Sequence, residues 1–383
     1  MDPSKFQAST SGKVVRQPQG YWAFLPAPLP PALSFSPALV TALSAADRAL
    51  GELRGLGGAI SNPHLLIRPL ARQEAVLSSR IEGTRASLAD LLAYEATQLS
   101  FLEPGSDVRE VHNYVRALEY GLERISTLPV SLRLIRELHA SLMEGVRGEI
   151  WTPGEFRHSQ NWIGPPGSTL ESAPYVPPPV DEMSTALGDL EKYLHTPADL
   201  PPLIRLGLIH YQFEAIHPFL DGNGRVGRLL IALLLSVWQL LPQPLLYLSA
   251  YIESNRREYY DLLLAVSQRA AWEEWLLYFL EGVRRQSLDT VERISRLQKL
   301  RAQYQTRLQT RRAPARLLRA VDLLFAQPVL TARQMETELG INFPGAQRLI
   351  DQLVRAGLLR EITGGRRNRI YRADEVLAII ESL

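Results

Sequence analysis

The feature that most constrains the fold is an apolar segment, residues 229–238, that is hydrophobic on every side. A helix with this pattern is stable only when other elements surround it, so the segment predicts a central core helix. It is too short to span a membrane, which takes ~20 apolar residues. A second helix is predicted just before it, because Leu206, Ile209, Phe213 and Ile216 follow 3-4-3 spacing and form one buried stripe.

Composition and cysteine content limit the class of protein. At a typical ~150 residues per domain, the 383 residues predict two or three domains. The chain is 46% hydrophobic and 21% charged, which is typical of a globular protein and excludes a disordered or fibrous one. It contains no cysteine, so disulfides, thiolate metal sites and cysteine nucleophiles are excluded. No apolar stretch follows the charges of residues 1–19, and we therefore expect no secretory signal, no membrane partner and a cytoplasmic location.

Charge is distributed unevenly along the chain, although the net charge is only +2. Residues 291–383 hold 17 Lys and Arg against 9 Asp and Glu, a balance of +8, whereas the first 290 residues have a balance of −6. A basic C-terminal part indicates an anionic partner, and nucleic acid is the first candidate.

The pattern along the chain predicts a mainly α fold. Four closely spaced prolines prevent regular helix near the N-terminus. Helical spacing begins near Pro37, whereas two short apolar pieces around the Gly-Pro-Pro-Gly run at 164–167 predict a short β-hairpin. The predicted segments are an extended arm (1–36), an N-terminal helical region (37–110), a helical core (111–285), a linker helix (286–312) and a small α+β domain (313–383).

The densest polar cluster, residues 216–228, lies between the two apolar helices, and we refer to it as the polar segment. Pro218 disfavours helical geometry at His217, so the first helix is predicted to end there. Glycines that lead into the next helix predict an anion site, because unpaired N–H groups and the helix dipole favour negative charge. Arg225 and Arg228 are three residues apart and can reach the same anion.

Two further residues of the polar segment predict nucleotide chemistry. A carboxylate beside a phosphate site is repelled unless a divalent cation lies between them, so Asp221 is a candidate ligand for Mg²⁺. His217 titrates near neutrality and supplies a candidate base. The glycines also spell G-x-G-x-x-G, but a helix precedes them and no acidic residue follows at the required spacing, which excludes a dinucleotide fingerprint.

The polar segment resembles the signature of the Fic family, whose members transfer AMP from ATP to protein hydroxyl groups. That signature is H-P-F-x-[D/E]-G-N-G-R-x-x-R, and residues 217–228 match each of its fixed positions. The resemblance covers roughly residues 40 to 285 and implies an all-helical Fic core with a short β-hairpin flap. The intact Gly-Asn-Gly-Arg run at 222–225 favours AMP, rather than phosphate, as the transferred group.

The resemblance implies a role for each polar residue of the polar segment. His217 would take the proton from a Ser, Thr or Tyr hydroxyl, and Asp221 would hold Mg²⁺ or Mn²⁺ on the α- and β-phosphates. The remaining residues would bind the nucleotide: Gly222, Asn223 and Gly224 as an anion hole, Arg225 on the phosphates and Arg228 on the γ-phosphate.

Two other segments resemble parts of the Fic core. Residues 161–179, the flap, resemble the hairpin on which a target docks, and residues 248–260 resemble the segment that closes over the nucleotide base. The flap would bind an extended chain through its backbone edge, so it specifies no particular target. The residues implied by these resemblances are Asn161, Trp162, Ile163, Tyr175 and Val176 for the target, and Tyr251, Asn255 and Tyr259 for the nucleotide.

Residues 78–83 resemble the inhibitory motif [S/T]-x-x-x-E-[G/N] of the Fic class with N-terminal inhibition. Ser78 and Glu82 are four residues apart and share one face of a helix. Glu82 directly precedes Gly83, the predicted helix end, where the helix dipole disfavours a carboxylate. By resemblance Glu82 pairs with Arg228 and denies it to the γ-phosphate. Some Fic proteins use this glutamate to remove AMP from the target, and the sequence leaves both roles open.

The C-terminal domain resembles the winged helix of many bacterial Fic proteins. Three helical patterns precede two strand patterns around a basic loop. They lie at 317–325, at 331–339 with Thr331 as the predicted N-cap, and at 345–356, begun by Asn342 and Pro344. This order would place one helix in a DNA major groove and a basic wing on phosphates. Docking of a protein, or formation of a homodimer, is the alternative for this module. The residues predicted to contact DNA are Arg348, Arg366, Arg367 and Arg369.

Two classes of function follow from the sequence. The first is an adenylyltransferase that uses ATP and Mg²⁺ to modify hydroxyl groups of target proteins, including its own, and that Glu82 restrains. The second is a DNA-binding transcriptional regulator in which the Fic site senses nucleotide.

Overall fold

Helices dominate the structure, as the sequence predicts. The computed structural model describes residues 1–7, 10–59, 64–97, 106–146, 152–197, 199–241, 243–308, 315–365 and 368–382. The helices are α1 (Pro37–Ala59), α2 (His64–Ile81), α3 (Leu88–Thr97), α4 (Asp107–Arg124), α5 (Leu132–Leu142), α6 (Val180–His195), α7 (Pro202–Ile216), α8 (Asn223–Val237), α9 (Ser249–Ser254), α10 (Arg256–Arg269), α11 (Trp272–Leu308), α12 (Ala315–Ala326), α13 (Ala332–Leu339), α14 (Phe343–Arg355) and α15 (Asp374–Glu381). The strands are β1 (Gly12–Arg16), β2 (Trp22–Pro26), β3 (Val329–Thr331), β4 (Arg360–Glu361) and β5 (Ile370–Arg372).

The predicted pair of core helices lies at the centre of the fold. Twelve of the fifteen residues of α7 and twelve of the fifteen of α8 are buried. The two helices pack on each other, and α2, α4 and α5 contact α8 while α6, α10 and α11 contact α7. This arrangement places the polar segment, which joins α7 to α8, in the middle of the helical body. None of the helices in the described ranges is both long and apolar enough to cross a membrane.

The predicted linker helix is not a separate element. It is the second half of α11, which runs without a break from Trp272 to Leu308, so the boundary predicted at residue 286 lies inside one helix. The reason is packing: buried residues continue past this boundary at three- and four-residue spacing, as at Thr290, Ile294 and Leu297, and α1 packs along the helix. Most of the charged residues in this part of α11 are exposed or half-buried, but Arg293 is buried and donates to the carbonyl of Ile380.

The N-terminal arm is folded against the body. Strands β1 and β2 form an antiparallel hairpin in which Val14 pairs with Phe24, and the side chain of Phe24 is 1% exposed. The backbone N–H of Phe24 donates to the carbonyl of Val176, 2.9 Å away, in the last part of the flap. In the described part of the arm the prolines leave only a three-residue 3-10 helix, Pro3–Lys5, but they do not exclude strands, since the stretch that ends at Pro26 forms the second strand of the hairpin.

The flap contains very little β-structure. Its single antiparallel bridge in the described residues joins Ile163 to Tyr175, with N–H to O distances of 2.9 and 3.4 Å. Proline has no backbone N–H to donate, and Pro165, Pro166 and Pro174 interrupt the ladder that a regular hairpin would need. The predicted hairpin is therefore a loop closed by one bridge.

The C-terminal unit (residues 315–382) has the three predicted helices and two elements that the sequence did not predict. Thr331 begins α13 with a capping box to Gln334, and Asn342 caps α14 through Gly345, both as predicted. The additional elements are β3, which makes a three-stranded sheet in the order β3-β5-β4, and α15. The two predicted strand patterns correspond to β4 and β5, whereas β3 is three residues long and has no turn beside it that would mark it in the sequence.

The C-terminal unit packs on the N-terminal helical region. Helices α12 and α15 contact α2, and β3 and β5 contact α3. The side-chain amide of Gln334 donates to the carbonyl of Glu95, 3.2 Å away. Helix α2 is thus enclosed by α4, α8 and α9 on one side and by the C-terminal unit on the other.

Replacing Trp275 with Ala should lower the free energy of unfolding by about 3–5 kcal/mol, the range for large buried aromatic side chains. Trp275 lies on α11, is 1% exposed and donates its indole N–H to the carbonyl of Gly207 on α7, 3.0 Å away. Unfolding in urea measures the loss. Trp162, which is 44% exposed, is the control: Trp162→Ala should cost less than about 1 kcal/mol. Equal losses for the two variants would contradict this account of the core.

Candidate active site

The polar segment begins where α7 ends, at His217. The backbone of His217 adopts the left-handed conformation, with φ 49° and ψ 62°, because the following Pro218 disfavours the helical region. The predicted helix end at this residue is confirmed. The break turns the imidazole out of the helix and places it at the lip of the central pair of helices.

The imidazole of His217 is held as a neutral base. Its Nδ1 lies 3.3 Å from the backbone oxygen of Glu214, and since a carbonyl can only accept, Nδ1 carries the proton. Nε2 then keeps its lone pair in the neutral ring. Burial lowers the pKa of His217 to about 4, and the positive charge of Arg157 acts in the same direction.

The glycine-containing turn leads into an uncapped helix. Gly222, with φ 78°, is the N-cap of α8, and no side chain caps it. The N–H groups in the first turn of a helix have no partner within that helix, so they point out of α8 beside His217. The side-chain amide of Asn223 instead bridges the backbone of Phe219, accepting at 2.9 Å and donating at 2.8 Å. Only the backbone of Asn223 is available for the anion site predicted here.

The two arginines of the polar segment are buried and paired with different carboxylates. Arg225 lies 3.4 Å from Glu110 on α4 and 3.5 Å from Asp221. Arg228 donates to the carboxylate of Glu82, 2.6 Å away, and to the hydroxyl and carbonyl oxygens of Ser78, at 2.8 and 3.0 Å. Both guanidinium groups are therefore paired with carboxylates inside the protein, although Nε of Arg225 is buried without a hydrogen-bond partner among the described residues.

Glu82 lies directly over the N-terminus of α8. A β-carbon added to Gly224 would collide with its carboxylate, so a larger residue at this position would displace the Glu82 side chain. Burial by itself would raise the pKa of Glu82, but the charge of Arg228 and its hydrogen bond outweigh this and hold the pKa below its usual value. Gly83, with φ 101°, ends the helical turn as the sequence predicts. The carboxylate is thus ionised and occupies the place where an anion would meet Arg228.

Asp221 fits a cation site that is completed by a bound nucleotide, and not one made of protein side chains alone. Its side chain is 52% exposed, and one carboxylate oxygen accepts from the N–H of Gly222 at 2.6 Å. The described residues contain no group of three His, Asp or Glu side chains able to hold a metal ion. Mg²⁺ commonly takes one carboxylate and completes its shell with phosphate oxygens and water. The residues present therefore fit Mg²⁺ only together with a nucleotide.

Comparison with known proteins identifies the fold and the family. Residues 40–123 match the family described as Fic/DOC family N-terminal, and residues 129–235 match the family described as Fic/DOC family. This chain belongs to the Fic/DOC family. The second match includes the whole of the polar segment and the flap, and the first includes the segment with Ser78 and Glu82.

Curated relatives carry the same family name. The chain is 29% identical over 203 residues to protein adenylyltransferase Fic of Drosophila willistoni, covering 49% of this chain and 38% of that protein. It is 29% identical over 198 residues to the Drosophila grimshawi protein of the same name, with the same coverage. The chain thus spans well under half the length of these relatives.

Solved structures of Fic proteins share the fold. A Fic family protein from Desulfovibrio desulfuricans G20 superimposes with a TM-score of 0.57 over 90% of this chain and 98% of that chain, at 20% identity. Fic-1 from C. elegans gives 0.51 over 69% of this chain and 75% of that one, also at 20% identity. A Fic domain containing signaling protein from Bacteroides thetaiotaomicron gives 0.51 over 65% and 94%, at 18% identity.

Of the three residues that the Fic resemblance assigns to the nucleotide base, two, Tyr251 and Tyr259, are buried in the core. Tyr259 is 1% exposed and its hydroxyl is 2.8 Å from Nε2 of His210. It does not face a cleft, because the helical period of α10 turns Tyr259 inward and its neighbour outward. Asn255 donates its side-chain amide to the carbonyl of Tyr251, 2.8 Å away, and so caps α9. Tyr251 is 9% exposed and packs on Tyr278, with ring centroids 4.9 Å apart.

The flap of this Fic protein divides into exposed and buried residues. Trp162 is 44% exposed and Ile163 is half-buried, so these side chains face outward. Tyr175 and Val176 are buried, and the hydroxyl of Tyr175 donates to the carbonyl of Ala215 at 2.8 Å. Asn161 is also buried. Its side chain points to the polar segment, where it donates to the carbonyls of residues 217 and 219, and not to a docking surface.

The residues predicted to contact DNA are only partly described. Arg348 on α14 and Arg369 are exposed, and their guanidinium groups donate to the nearby carbonyls of Pro344 and Gly365. Arg366 and Arg367 lie outside the described residues. The winged helix, its contact with DNA, the homodimer and the cytoplasmic location stay predictions from the sequence.

Several site residues have no signal in the sequence because they come from distant segments. His139 on α5 accepts from the N–H of Gly154 at 2.9 Å and donates to the carbonyl of Asp221 at 3.1 Å. Arg157 binds the carbonyl of His217, and Glu110 pairs with Arg225. Only Glu214, three residues before His217 on α7, had a local signal, since an acidic residue on a helix face that is otherwise apolar is unusual.

Glu214→Gln should stabilise the protein at alkaline pH. Burial raises the pKa of the Glu214 carboxyl from 4.5 to about 8, and the nearby negative charge of Glu82 adds to this. The unfolded carboxyl ionises near pH 4.5 while the folded one stays protonated to about pH 8, so stability falls as pH rises through this window. An amide has no such dependence. The melting temperature of the variant should therefore exceed that of the wild type at pH 8 and differ little at pH 5.

Thermal unfolding at a series of pH values measures this difference. Glu123→Gln, at an exposed position of α4, is the control and should follow the wild-type pH dependence. Parallel curves for wild type and Glu214→Gln would show that the Glu214 carboxyl ionises normally in the folded protein.

Proposed function

We propose that this Fic protein transfers AMP from ATP to Ser, Thr or Tyr hydroxyl groups of target proteins and of itself. The observation that carries the proposal is the neutral imidazole of His217 beside the uncapped N-terminus of α8, with Arg225 and Arg228 in the first two turns of that helix. Transfer at phosphorus requires a positioned base, an anion site and cations, and little other chemistry from the protein. The curated relatives named protein adenylyltransferase support the same reaction.

In the proposed reaction His217 takes the proton of the target hydroxyl. Nδ1 is occupied by the carbonyl of Glu214, so Nε2 is the nitrogen that accepts. Because its pKa is about 4, the ring is neutral in nearly every molecule at pH 7. The hydroxyl oxygen then bonds to the α-phosphorus of ATP, the bond from that phosphorus to the bridging oxygen breaks, and diphosphate leaves.

The phosphates would lie on the first turn of α8. The backbone N–H groups of residues 223 and 224 and the helix dipole favour negative charge there, whereas the N–H of Gly222 is bonded to Asp221. Arg225 is the adjacent cation. Mg²⁺ held by Asp221 and the phosphates would neutralise the charge on the departing diphosphate. Arg225 would exchange its 3.4 Å contact with Glu110 for phosphate oxygens, which can bind both arms of the guanidinium fork.

The proposal includes restraint by Glu82. Its carboxylate pairs with Arg228 at 2.6 Å and lies against Gly224, so it takes both the cation and the space that a γ-phosphate would need. Ser78 accepts from the same guanidinium through its hydroxyl and its carbonyl, which fixes Arg228 toward α2. ATP would then bind in a productive pose only when the segment with Glu82 moves away.

His217→Ala should abolish AMP transfer and leave the affinity for ATP within about threefold of that of the protein without this substitution. Only the base is lost, and the phosphate contacts come from α8 and its arginines, so the variant separates chemistry from binding. Labelled ATP measures transfer, and calorimetry measures binding. His158→Ala, at an exposed histidine of a neighbouring loop, is the control and should retain full transfer. Undiminished labelling by His217→Ala would refute the proposed base.

Glu82→Gly should increase self-modification with Mg²⁺ and ATP by at least about tenfold. This is the change expected if the competition of Glu82 with the γ-phosphate for Arg228 costs about 1.4 kcal/mol. Glu144→Gly is a matched control, because Glu144 also pairs with an arginine, Arg116, at 2.7 Å but lies outside the site. It should behave as wild type. Equal labelling by wild type and Glu82→Gly would remove the restraint from the proposal.

The same variants separate restraint from the hydrolase alternative. Wild-type protein is added to a target already carrying AMP, in the absence of ATP. Release of AMP by the wild type and not by Glu82→Gly would assign Glu82 the alignment of an attacking water. No release by either protein would leave restraint as its role.

A further inference from the structure

Arg157 is a buried cation that nothing in the signature explains. It lies in the segment between α5 and the flap, and it is 1% exposed. Within the described residues no carboxylate pairs with it. Its guanidinium donates to three carbonyl oxygens, those of Ser159, Pro178 and His217. Burial lowers the pKa of Arg157 to about 10, but the group stays charged at neutral pH.

The three carbonyls belong to two parts of the site. Nε of Arg157 is 3.1 Å from the carbonyl oxygen of His217, and the backbone N–H of Arg157 donates to that of Pro218 at 2.9 Å. The other end of the fork binds Pro178, at the exit of the flap. Arg157 therefore joins the residue that carries the imidazole to the segment on which a target would dock.

The backbone of His217 needs such support. A non-glycine residue in the left-handed region costs on the order of 1–2 kcal/mol relative to helical geometry, and a strained residue persists only when its surroundings determine it. Leaving the helix also turns the carbonyl of His217 away from any helical donor. Arg157 supplies one donor to this oxygen, and Asn161 supplies a second at 3.3 Å.

The charge of Arg157 also acts on the imidazole. After burial, it is the next largest influence that lowers the pKa of His217. Three other groups around His217 have the opposite effect on its pKa. The backbone oxygen of Glu214 on α7 and the carboxylates of Glu82 and Asp221 favour the protonated ring. Arg157 therefore favours a neutral, outward-facing ring through both its position and its charge.

We propose that Arg157 is a positioning residue for His217, which holds the left-handed turn that aims the imidazole and ties this turn to the exit of the flap. The inference rests on the proposed AMP transfer for its meaning in catalysis. It assigns Arg157 no contact with substrate, and its effect is transmitted through the backbone of residues 217 and 218.

Two replacements separate the geometry from the charge. Arg157→Lys keeps a positive charge but loses the planar fork that reaches three carbonyls. Arg157→Met removes both and keeps much of the side-chain volume. Each is made in the Glu82→Gly background, where the proposed restraint is absent. The control is Arg205→Lys: the guanidinium of Arg205 also binds three carbonyls, those of Tyr193, Leu194 and Thr196, but away from the site.

Arg157→Lys should lower kcat for self-modification by about 10- to 100-fold, as expected for a misaligned base, with KM for ATP within about threefold. Arg157→Met should also lose activity at pH 5.5 relative to pH 7.5, because the pKa of His217 rises toward its usual 6.5 and the ring becomes protonated. Arg205→Lys should lower the melting temperature as much as either Arg157 variant does, but it should leave kcat for self-modification unchanged. Equal loss of kcat in Arg205→Lys and Arg157→Lys, or a rise in KM alone, would overturn the proposal.

NMR of the histidine ring tests Arg157 without relying on activity. The Cε1–H signal of His217 is identified by its absence in His217→Ala and followed from pH 4 to 8. Arg157→Met should raise the measured pKa by at least about 1 unit, and Arg157→Lys should move the signal at neutral pH. Unchanged signals in both variants would overturn the inference. If the Glu82→Gly parent transfers no AMP, the proposed reaction fails, and the NMR result still decides whether Arg157 positions His217.

Discussion

The structure of the site depends on one constraint: the turn between α7 and α8 cannot satisfy its own backbone. Pro218 and Gly222 break the helical ladder, so the carbonyls of residues 217 to 221 need donors from elsewhere. These donors come from Arg157 and Asn161, from His139 on α5, and from Asn223 in the first turn of α8. The site is therefore assembled by three separate segments, and it forms only when the helical body has folded.

The charges of the site are balanced inside the protein before any nucleotide binds. Buried ions are costly unless they are paired, and Arg225 and Arg228 meet this requirement with Glu110 and Glu82. Thr84, two residues beyond Glu82, donates its hydroxyl to Glu110 at 3.2 Å, so both pairs are connected to the segment that follows α2. Exchange of these carboxylates for phosphate oxygens is the step on which the proposed restraint acts.

Helix α2 occupies a central place in this balance. It provides Ser78 to Arg228, and its buried Glu74 accepts from the hydroxyl of Ser249 at 2.6 Å and from Tyr114 at 3.2 Å. Burial raises the pKa of Glu74 to about 7. The C-terminal unit covers the opposite side of the same helix. The helix that carries the segment with Glu82 is thus fixed to α9, to α4 and to the C-terminal unit at once.

Much of this protein could be predicted from its sequence, because the relevant signals are local. The 3.6-residue period and the apolar run at 229–238 predict the central helices, Pro218 and Gly83 predict the two helix ends, and the caps at Thr331 and Asn342 predict two helices of the C-terminal unit. The polar segment also predicts its own chemistry, since its base, glycines and cations lie within twelve residues.

The tertiary structure determined the contacts between residues that are far apart in the sequence. It determined that Tyr259 faces the core and Asn161 faces the polar segment, that α11 is one continuous helix, and that Arg157, His139 and Glu110 reach the site. Such contacts join residues tens of positions apart, and the hydrogen bonds between them follow no spacing that a sequence can display.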